Sequence, residues 1–509
     1  MQRGAWWWQG VLVALAVWGV HLASMAGTGA VIAETDSPWH LTAGRVIVEA
    51  GGLPHADPIC FSSDGARWIN QNWLANVILY RAYQALGAVG PLAVTTCLLA
   101  ATLLVQGSRL RRRRVSPLFL VLALLATLWT LRYAGVDASI RPRFFSALLL
   151  VALAWLLERD DPERRLGPWP AAGLVGLLAL WFNLHGEVVL GLCLVGADAV
   201  GTSLDAWREG KGPLPPRTRW LLGAAAVGAL SCALHPQGLD ALLHTGRTLA
   251  GSAQQLDLVV EGLALDFRTR LGRLVEVVLL VGLWACWVGP RRVSARDALW
   301  SLALLHLALI MRRGAVPFVL VAAPVVADQA SRALEALRAE GGLAARLLDG
   351  LDQRARAAAA SAPWVIALAL AAYLLLAVPL RARPGVPGGL TGLSPAVFPL
   401  EAARFLQERR PPGRIFCDYS AGGLLGWALY PERRVFIDGR TDLHLATGAY
   451  ERYVSIVTLA PGWDDELDAL EVDLVVLPSS ARLAYVLHAW RGWEALHQDA
   501  GWVVLRRPG

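Results

Sequence analysis

The distribution of apolar residues along the chain predicts a membrane protein with many spanning helices. Apolar runs recur from the N-terminus to beyond residue 370, and short polar stretches separate them. The runs are 7–25, 87–105, 118–131, 145–157, 171–182, 188–200, 220–233, 274–288, 298–311, 316–327 and 364–378. A perpendicular span needs about 20 apolar residues, so the shorter runs must include flanking residues or re-enter the membrane. We therefore expect about eleven transmembrane helices, uncertain by one or two.

Composition agrees with lipid as the main solvent of this chain. Of 509 residues, 55% are hydrophobic and only 17% are charged. A soluble protein of this length needs more charge to cover its surface. The formal net charge of +7 comes from arginine clusters beside the apolar runs, a pattern of membrane topology, so we expect no nucleic-acid partner.

The positions of these arginines predict the orientation of the chain. Four inter-run loops carry basic clusters: 109 with 111–114; 159, 164 and 165; 208, 211, 217 and 219; and 291, 292 and 296. All four loops fall on one side of the membrane if the N-terminus is cytoplasmic. The segment 331–361 falls there too and is typical of an amphipathic surface helix. An odd number of spans then places everything after Leu380 outside the cytoplasm.

The polarity of the last quarter of the chain predicts a separate extracytoplasmic domain. A Pro- and Gly-rich linker at 381–387 divides a transmembrane domain, 1–380, from this C-terminal domain, 381–509. Strand-like runs alternate with helical stretches, which predicts a small α/β domain. The strand-like runs are 414–417, 434–437, 474–477 and 502–505, and the helical stretches are 399–407, 422–429 and 464–470. Asp438, Arg440 and Asp442 follow one strand-like run and are candidate site residues, although Asp438-Gly439 is also a turn signal.

The first outer loop, about 27–86, carries the densest candidate chemistry. Glu34, Asp36 and His40 lie within seven residues, and Asp57 follows in the same loop. A carboxylate within hydrogen-bonding reach can take a proton from an acceptor hydroxyl. The alternative for Asp36 is a helix N-cap, since Pro38 follows it closely. One residue can serve both purposes.

Two tryptophans flank these acids. Trp39 and Trp73 suit the membrane interface, where an apolar ring with a polar N–H is favoured. They equally suit stacking on a sugar ring.

Motifs along nearly the whole chain resemble the GT-C superfamily of polyprenyl-phosphate-sugar-dependent glycosyltransferases. The likeness is strongest to a large group of uncharacterised bacterial members, and it extends to protein O-mannosyltransferases and oligosaccharyltransferase catalytic subunits. The matching segments are 36–44, 54–58 with 61–62, 72–74, 141–146, 181–186, 235–238, 312–318 and 436–442. Asn72 departs from the pattern, because these proteins carry an acid there. That change removes one potential metal ligand or substrate contact.

The resemblance implies an inverting membrane glycosyltransferase. Its donor would be a polyprenyl-phosphate-linked sugar, its acceptor a glycan, lipid or protein, and its location a bacterial inner membrane. Asp36 would be the general base or a metal-linked carboxylate. A divalent cation, Mg²⁺ or Mn²⁺, is left open.

Binding of the donor phosphate is the second task that such a reaction requires. Fixed cations stabilise charge on a leaving phosphate, and the planar guanidinium of arginine pairs with phosphate at two points. Arg141 and Arg143 are candidates, with interface anchoring as the alternative. Arg312 and Arg313 depart from the positive-inside pattern, which favours an anionic ligand.

A polar break between the runs 171–182 and 188–200 gives three further candidates. Asn183, His185 and Glu187 lie there, and polar groups at membrane depth are costly unless they function. The alternative is a loop whose polar side chains face water.

Two other functional classes stay open. A transporter or flippase would show internal repeats with matching broken helices, and no convincing repeat is present. A non-catalytic assembly protein with the same fold is compatible with Asn72. A disulfide between Cys60 and Cys417, the two cysteines expected outside, is also open.

Overall fold

The computed structural model describes residues 34–131, 140–158, 168–212, 214–250, 262–289, 292–360 and 393–509. The predicted spans 7–25 and 364–378 and the linker 381–387 lie outside the described residues. Contacts divide the chain into two compact units. The helical unit comprises residues 1–21, 95–137 and 142–374, and the α/β unit comprises 22–94, 138–141 and 375–509.

Helices account for all the regular secondary structure in the described residues before 361. They are α1 Ser37–Ala50, α2 Trp73–Leu86, α3 Val89–Arg112, α4 Pro117–Leu131, α5 Arg143–Leu157, α6 Pro168–Leu184, α7 Val188–Arg208, α8 Pro216–Leu230, α9 Leu239–Ala250, α10 Arg270–Val288, α11 Ala295–Ile310, α12 Ala315–Glu340 and α13 Leu343–Ala360. Short 3₁₀ turns lie at Phe61–Ser63, Ser231–Leu234 and Arg312–Gly314.

Each predicted apolar run that falls in the described residues coincides with one helix from α3 to α12. Four stretches of the described chain are long and apolar enough to cross a membrane: Val89–Arg112, Val188–Arg208, Arg270–Val288 and Arg312–Glu340. Helices α4, α5 and α6 are apolar but shorter. A largely helical membrane fold is therefore supported, and the total of about eleven spans stays a prediction.

Some of the arginines that we assigned to a cytoplasmic loop are instead buried in the helical unit. Helix α3 continues to Arg112, and Arg109 within it is 0% exposed. Arg109 and Arg113 both pair with Glu158, at 2.7 and 2.8 Å, and Arg113 also pairs with Asp297 at 3.0 Å. The loop interpretation was wrong for Arg109, because an arginine with a buried carboxylate partner can lie inside a helical bundle.

The α/β unit contains a four-stranded sheet with helices around it, as the alternating pattern predicts. Its elements after residue 393 are α14 Leu400–Arg409, β1 Arg414–Cys417, α15 Tyr419–Leu429, α16 Thr441–Ala446, α17 Ala449–Val457, α18 Trp463–Ala469, β2 Val472–Pro478, α19 Arg482–Arg491, β3 Glu494–Gln498 and β4 Trp502–Arg506. The strand order is β1-β2-β4-β3. Strand β1 pairs in parallel with β2, and the other pairs are antiparallel.

The predicted strand 434–437 forms only an isolated bridge at Val435. Val435 bridges to Ile415 of β1 and to Cys60 of the first outer segment. The N–H of Val435 donates to Ile59 at 3.1 Å, and the N–H of Phe61 donates to Val435 at 2.9 Å. The first outer segment therefore hydrogen-bonds with the C-terminal region and shares its hydrophobic core, in which Trp39, Leu41 and Trp68 lie.

Candidate functional site

A buried ion-pair cluster joins the first outer segment to the motif Asp438-Gly439-Arg440. The two terminal guanidinium nitrogens of Arg440, Nη1 and Nη2, donate to the Asp57 carboxylate at 2.7 and 3.0 Å. Arg440 also donates to Asp438, and its guanidinium lies 4.8 Å from the centre of the Trp68 ring. The side chains of Asp57 and Asp438 are 0% exposed. Arginine suits this position because its planar fork pairs with two carboxylates at once.

Three local donors hold the Asp57 carboxylate in place. Its oxygens accept from the N–H groups of Ile59 and Cys60 and from the hydroxyl of Ser63, at 2.9, 3.2 and 2.7 Å. Together with Arg440, these donors fix the loop before the Val435 bridge. These contacts indicate a structural role for Asp57.

Asp438 and His444 complete the cluster. His444 Nε2 lies 3.0 Å from an oxygen of Asp438, and both side chains are fully buried. Burial alone would raise the pKa of the Asp438 carboxyl, but Arg440 and then His444 hold it well below its usual range. Asp438 is therefore ionised at neutral pH, and α16, which carries His444, is fixed against the motif. Asp442, the third predicted residue here, lies part-exposed on the same helix.

Asp36 lies at the N-terminus of α1, next to Glu34 and Arg141. Its carboxylate makes no capping bond to the helix. Glu34 accepts instead from the N–H of Asp36 and from the N–H and hydroxyl of Ser37, at 2.8, 3.1 and 3.1 Å. Asp36 therefore occupies the predicted N-cap position, but Glu34 supplies the side-chain oxygen that accepts from the Ser37 N–H.

Arg141 bridges the two acids. Its guanidinium donates to Glu34 and to Asp36, whose side chains are 13% and 26% exposed. The N–H of Ile140 donates to the Ser37 hydroxyl at 2.9 Å, which fixes the segment that carries Arg141. Two carboxylates and one guanidinium therefore lie together at a part-exposed position.

Gly439 packs directly against this acidic group. A Cβ atom on Gly439 would lie 2.4 Å from Asp36 Oδ1 and 2.6 Å from Trp39 Nε1, closer than non-bonded atoms approach. Only glycine fits there. Asp438 and Arg440 flank Gly439, so the buried cluster fixes the surface on which Asp36 rests. The sequence pattern named the flanking residues but not the glycine.

Tyr419 is a further neighbour that the sequence did not indicate. Its hydroxyl hydrogen-bonds with that of Thr441. Burial, and then the negative charge of Asp36, raise the pKa of Tyr419 well above its usual value. A neutral phenol therefore lies within electrostatic reach of the Asp36 carboxylate.

The remaining predicted residues of the first outer loop differ in exposure. His40 is buried, and its Nδ1 lies 2.9 Å from the side-chain oxygen of Asn76. Trp39 is 9% exposed and stacks on His40, so it offers no open face for a sugar ring. Trp73 begins α2 and is part-exposed.

In the helical unit the structure brings three of the predicted residues together. Arg143 lies 3.4 Å from Glu187, and His185 lies 3.5 Å from the same carboxylate. Ser146 joins them, 2.8 Å from His185 and accepting from Trp181 at 2.7 Å. This cluster lies where α6 ends and α7 begins, at the predicted polar break.

The other three candidates in the helical unit make separate contacts. Arg313 is near enough to Glu187 to interact with its charge. Arg312 donates its backbone N–H to Leu263 at 2.8 Å. The Asn183 amide donates to the carbonyl of Ala179 in its own helix, at 2.9 Å.

One group of potential metal ligands occurs in the described part of the chain. The ligand atoms of Cys60, Asp438 and His444 lie within 4.8 Å of one another. Arg440 already lies among them, 3.3 Å from the Cys60 sulfur. A guanidinium cation among the three ligand atoms opposes a second cation at the same place. The group therefore fits an ion-pair cluster better than a metal site.

The cysteines form no disulfide in the described residues. Cys60 and Cys417 are both buried and free. The disulfide left open by the sequence is absent from this structure.

Comparison with known proteins gives the fold. No protein-family model matches the sequence, and no curated protein is significantly similar to it. Among solved structures, the oligosaccharyltransferase AglB from Archaeoglobus fulgidus, in complex with an inhibitory peptide and a dolichol-phosphate, matches with a TM-score of 0.53 at 13% identity. That match covers 92% of this chain and 69% of AglB. ArnT from Cupriavidus metallidurans bound to undecaprenyl phosphate matches with a TM-score of 0.51 at 13% identity, over 99% of this chain and 98% of ArnT.

The chain shares the fold of these two proteins. The match to ArnT extends over nearly the full length of both chains, so the shared fold includes the C-terminal region as well as the helices. A further AglB structure, in complex with Zn and sulfate, matches with a TM-score of 0.53 at 13% identity over 98% of this chain and 73% of AglB. The predicted helical fold with a small C-terminal sheet is confirmed, and the number of spans stays a prediction.

Proposed function

We propose that this protein is a membrane glycosyltransferase that moves a sugar from a polyprenyl-phosphate-linked donor to an acceptor. The observation that carries the proposal is the part-exposed Asp36 carboxylate, held by Arg141 and resting on Gly439, within a GT-C fold. The neighbours with dolichol-phosphate and undecaprenyl phosphate support a lipid-phosphate donor. The fold alone would not suffice, because one fold hosts many functions.

Asp36 is the proposed general base. Of the two acids that Arg141 contacts, Asp36 is the more exposed. The Asp57 carboxylate is buried among its hydrogen-bond donors, and His40 is buried as well. The ionised Asp36 takes the proton from the acceptor hydroxyl as that oxygen attacks the anomeric carbon. The sugar–phosphate bond breaks on the opposite face, and the configuration inverts. Glu34 holds the first turn of α1 and so fixes the position of Asp36.

A metal ligand is the alternative role for Asp36. The carboxylates of Glu34 and Asp36 lie together on Arg141, and carboxylate oxygens are the ligands that Mg²⁺ and Mn²⁺ prefer. In that alternative Asp36 would face the leaving phosphate rather than the acceptor hydroxyl, and the cation would stabilise the charge that develops on the phosphate. In the helical unit, Arg143 and Arg313 are proposed donor-phosphate contacts, with Glu187 and His185 orienting Arg143.

We place the protein in a bacterial inner membrane, with the N-terminus in the cytoplasm and the C-terminal region outside. The arginine distribution supports this orientation. The acceptor is a glycan, lipid or protein on the outer face.

Sugar transfer by the purified protein in lipid tests the proposal. Wild type, Asp36→Asn and a control, Asp64→Asn, are assayed against a panel of polyprenyl-phosphate sugars. Asp64 lies in the same outer segment but is exposed and pairs only with Arg434 in the described residues. We expect Asp36→Asn to lose about 100-fold or more of the transfer rate, with Asp64→Asn unchanged. Equal rates for wild type and Asp36→Asn would remove Asp36 from the mechanism.

A further inference from the structure

The α/β unit contains a cavity that the reaction proposed above does not use. Its volume is about 430 Å³, within the range of small-molecule sites. It lies between the end of α14 and the end of α15, and Arg45 of α1 forms part of its wall. Asp36 is not part of the lining.

Three residues of the wall have buried polar atoms that lack a hydrogen-bond partner among the described residues. They are Nε1 of Trp427 and Nη1 of Arg433, both donors, and Oε1 of Gln407, an acceptor. The amide nitrogen of Gln407 is occupied, since it donates to Ala428 at 2.7 Å. Buried polar groups in folded proteins are nearly always paired. A ligand with several hydroxyl groups suits this set, because each hydroxyl donates one hydrogen bond and accepts others.

Three arginines and two glutamates line the cavity, at positions 45, 410, 433, 408 and 432. Arg410 pairs with Glu432 at 3.1 Å, and Arg45 pairs at 2.8 Å with Glu49, which lies outside the lining. The guanidinium groups add hydrogen-bond donors for a ligand rich in hydroxyl groups.

An aromatic side chain completes the wall. Tyr430 is half-buried, and the guanidinium of Arg45 lies 5.3 Å from the centre of its ring and donates to its carbonyl at 3.1 Å. Arg45 also lies over Trp427, at 5.9 Å. Aromatic rings beside fixed hydrogen-bonding groups are typical of ligand sites.

We propose that this cavity binds one saccharide unit of a glycan. The proposal rests on the proposed glycosyltransferase activity for its biological meaning, and it names the acceptor class as glycan. Arg45 lies nine residues after Asp36, which is roughly 13 Å along α1 at 1.5 Å per residue. The cavity therefore receives a sugar some distance from the reacting hydroxyl and positions the rest of the acceptor.

Saccharide binding to the full-length protein in detergent tests this site. The probes are free glucose, galactose and N-acetylglucosamine and their β-1,4-linked disaccharides, detected by saturation-transfer-difference NMR without any lipid-linked donor. We expect millimolar binding of at least one probe, weakened about tenfold or more by Gln407→Leu and by Trp427→Phe. Trp490→Phe is the matched control, because Trp490 is 74% exposed on α19.

Two results would overturn the proposal. One is the absence of saturation transfer to every probe, as expected if only water occupies the cavity. The other is undiminished binding in a Gln407→Leu protein whose thermal unfolding matches the wild type. Since the assay needs no turnover, a protein that binds saccharide but transfers none contradicts the proposed function alone. A protein that transfers sugar without binding the probes contradicts this site alone.

Discussion

Gly439 shows how a single residue can constrain a candidate catalytic group without touching substrate. A Cβ atom at Gly439 would collide with the Asp36 carboxylate and the Trp39 indole, and its neighbours Asp438 and Arg440 form buried ion pairs. The Asp36 carboxylate therefore packs against the backbone at Gly439, whose position the neighbouring ion pairs fix. Small displacements of reacting groups cost large factors in rate.

We predict that Gly439→Ala lowers the transfer rate by about 10- to 100-fold, because the new methyl group displaces the Asp36 carboxylate. The fall should be in kcat, with little change in KM for the donor, since the proposed role of Asp36 is toward the acceptor hydroxyl. Steady-state kinetics on the purified protein measure both quantities.

Gly501→Ala is the control for that experiment. A Cβ atom there meets only an Asp499 oxygen, at 3.8 Å, an ordinary contact. Wild-type kcat in Gly439→Ala would show that the geometry of Gly439 does not matter to the base.

At the scale of elements, Arg440 connects the first outer segment to α16. Two buried carboxylates, Asp57 and Asp438, depend on its one guanidinium. Removing one member of a buried ion pair leaves an uncompensated charge. We predict that Arg440→Met lowers the free energy of unfolding by about 3–5 kcal/mol, measured by denaturant unfolding in detergent.

Arg434→Met serves as the comparison, six residues earlier in the chain. Arg434 pairs with Asp64 at 2.9 Å, but both side chains are exposed, and exposed pairs contribute little. Its unfolding should resemble that of the wild type. Similar losses in the two variants would contradict the role given to the buried cluster.

The same cluster predicts how stability depends on pH. Arg440 and His444 depress the folded-state pKa of Asp438 against the opposing effect of burial, while an unfolded aspartate titrates near about 3.9. A depressed pKa stabilises the folded state above the unfolded pKa, and that stability is lost as pH falls through the folded pKa. We expect the unfolding temperature to fall steeply below about pH 4.

The Asp438→Asn variant isolates the contribution of the Asp438 carboxyl to acid sensitivity, because an asparagine side chain does not ionise. Its unfolding temperature is expected to be lower at pH 7 and to change less between pH 5 and pH 3 (roughly the range of carboxyl titration). Parallel pH curves for the variant and the wild type would assign the acid sensitivity to other carboxyls.

At the scale of the molecule, the sequence predicted the helices and the coarse fold because both depend on local patterns. Apolar runs coincide with the helices from α3 to α12 except α9, which no run predicted, and three of four strand-like runs lie at β1, β2 and β4. Strand β3 was missed because its residues are polar and part-exposed, without an apolar face. The candidate site was predicted less completely. Its acids were visible, but the pairing of Asp57 with Arg440 joins residues 383 positions apart, which no local pattern reveals.

Orientation in the membrane is the last property that the arginine distribution predicts. Alkaline phosphatase fused after Gly509 should be active, because the enzyme needs the oxidising side of the membrane. Fused after Gly212, in the exposed turn between α7 and α8 that carries Lys211, it should be inactive. Green fluorescent protein at the same two positions is expected to give the opposite pattern. Active phosphatase at Gly212 would reverse the orientation and place the proposed acceptor site on the cytoplasmic side, where the C-terminal region would then lie.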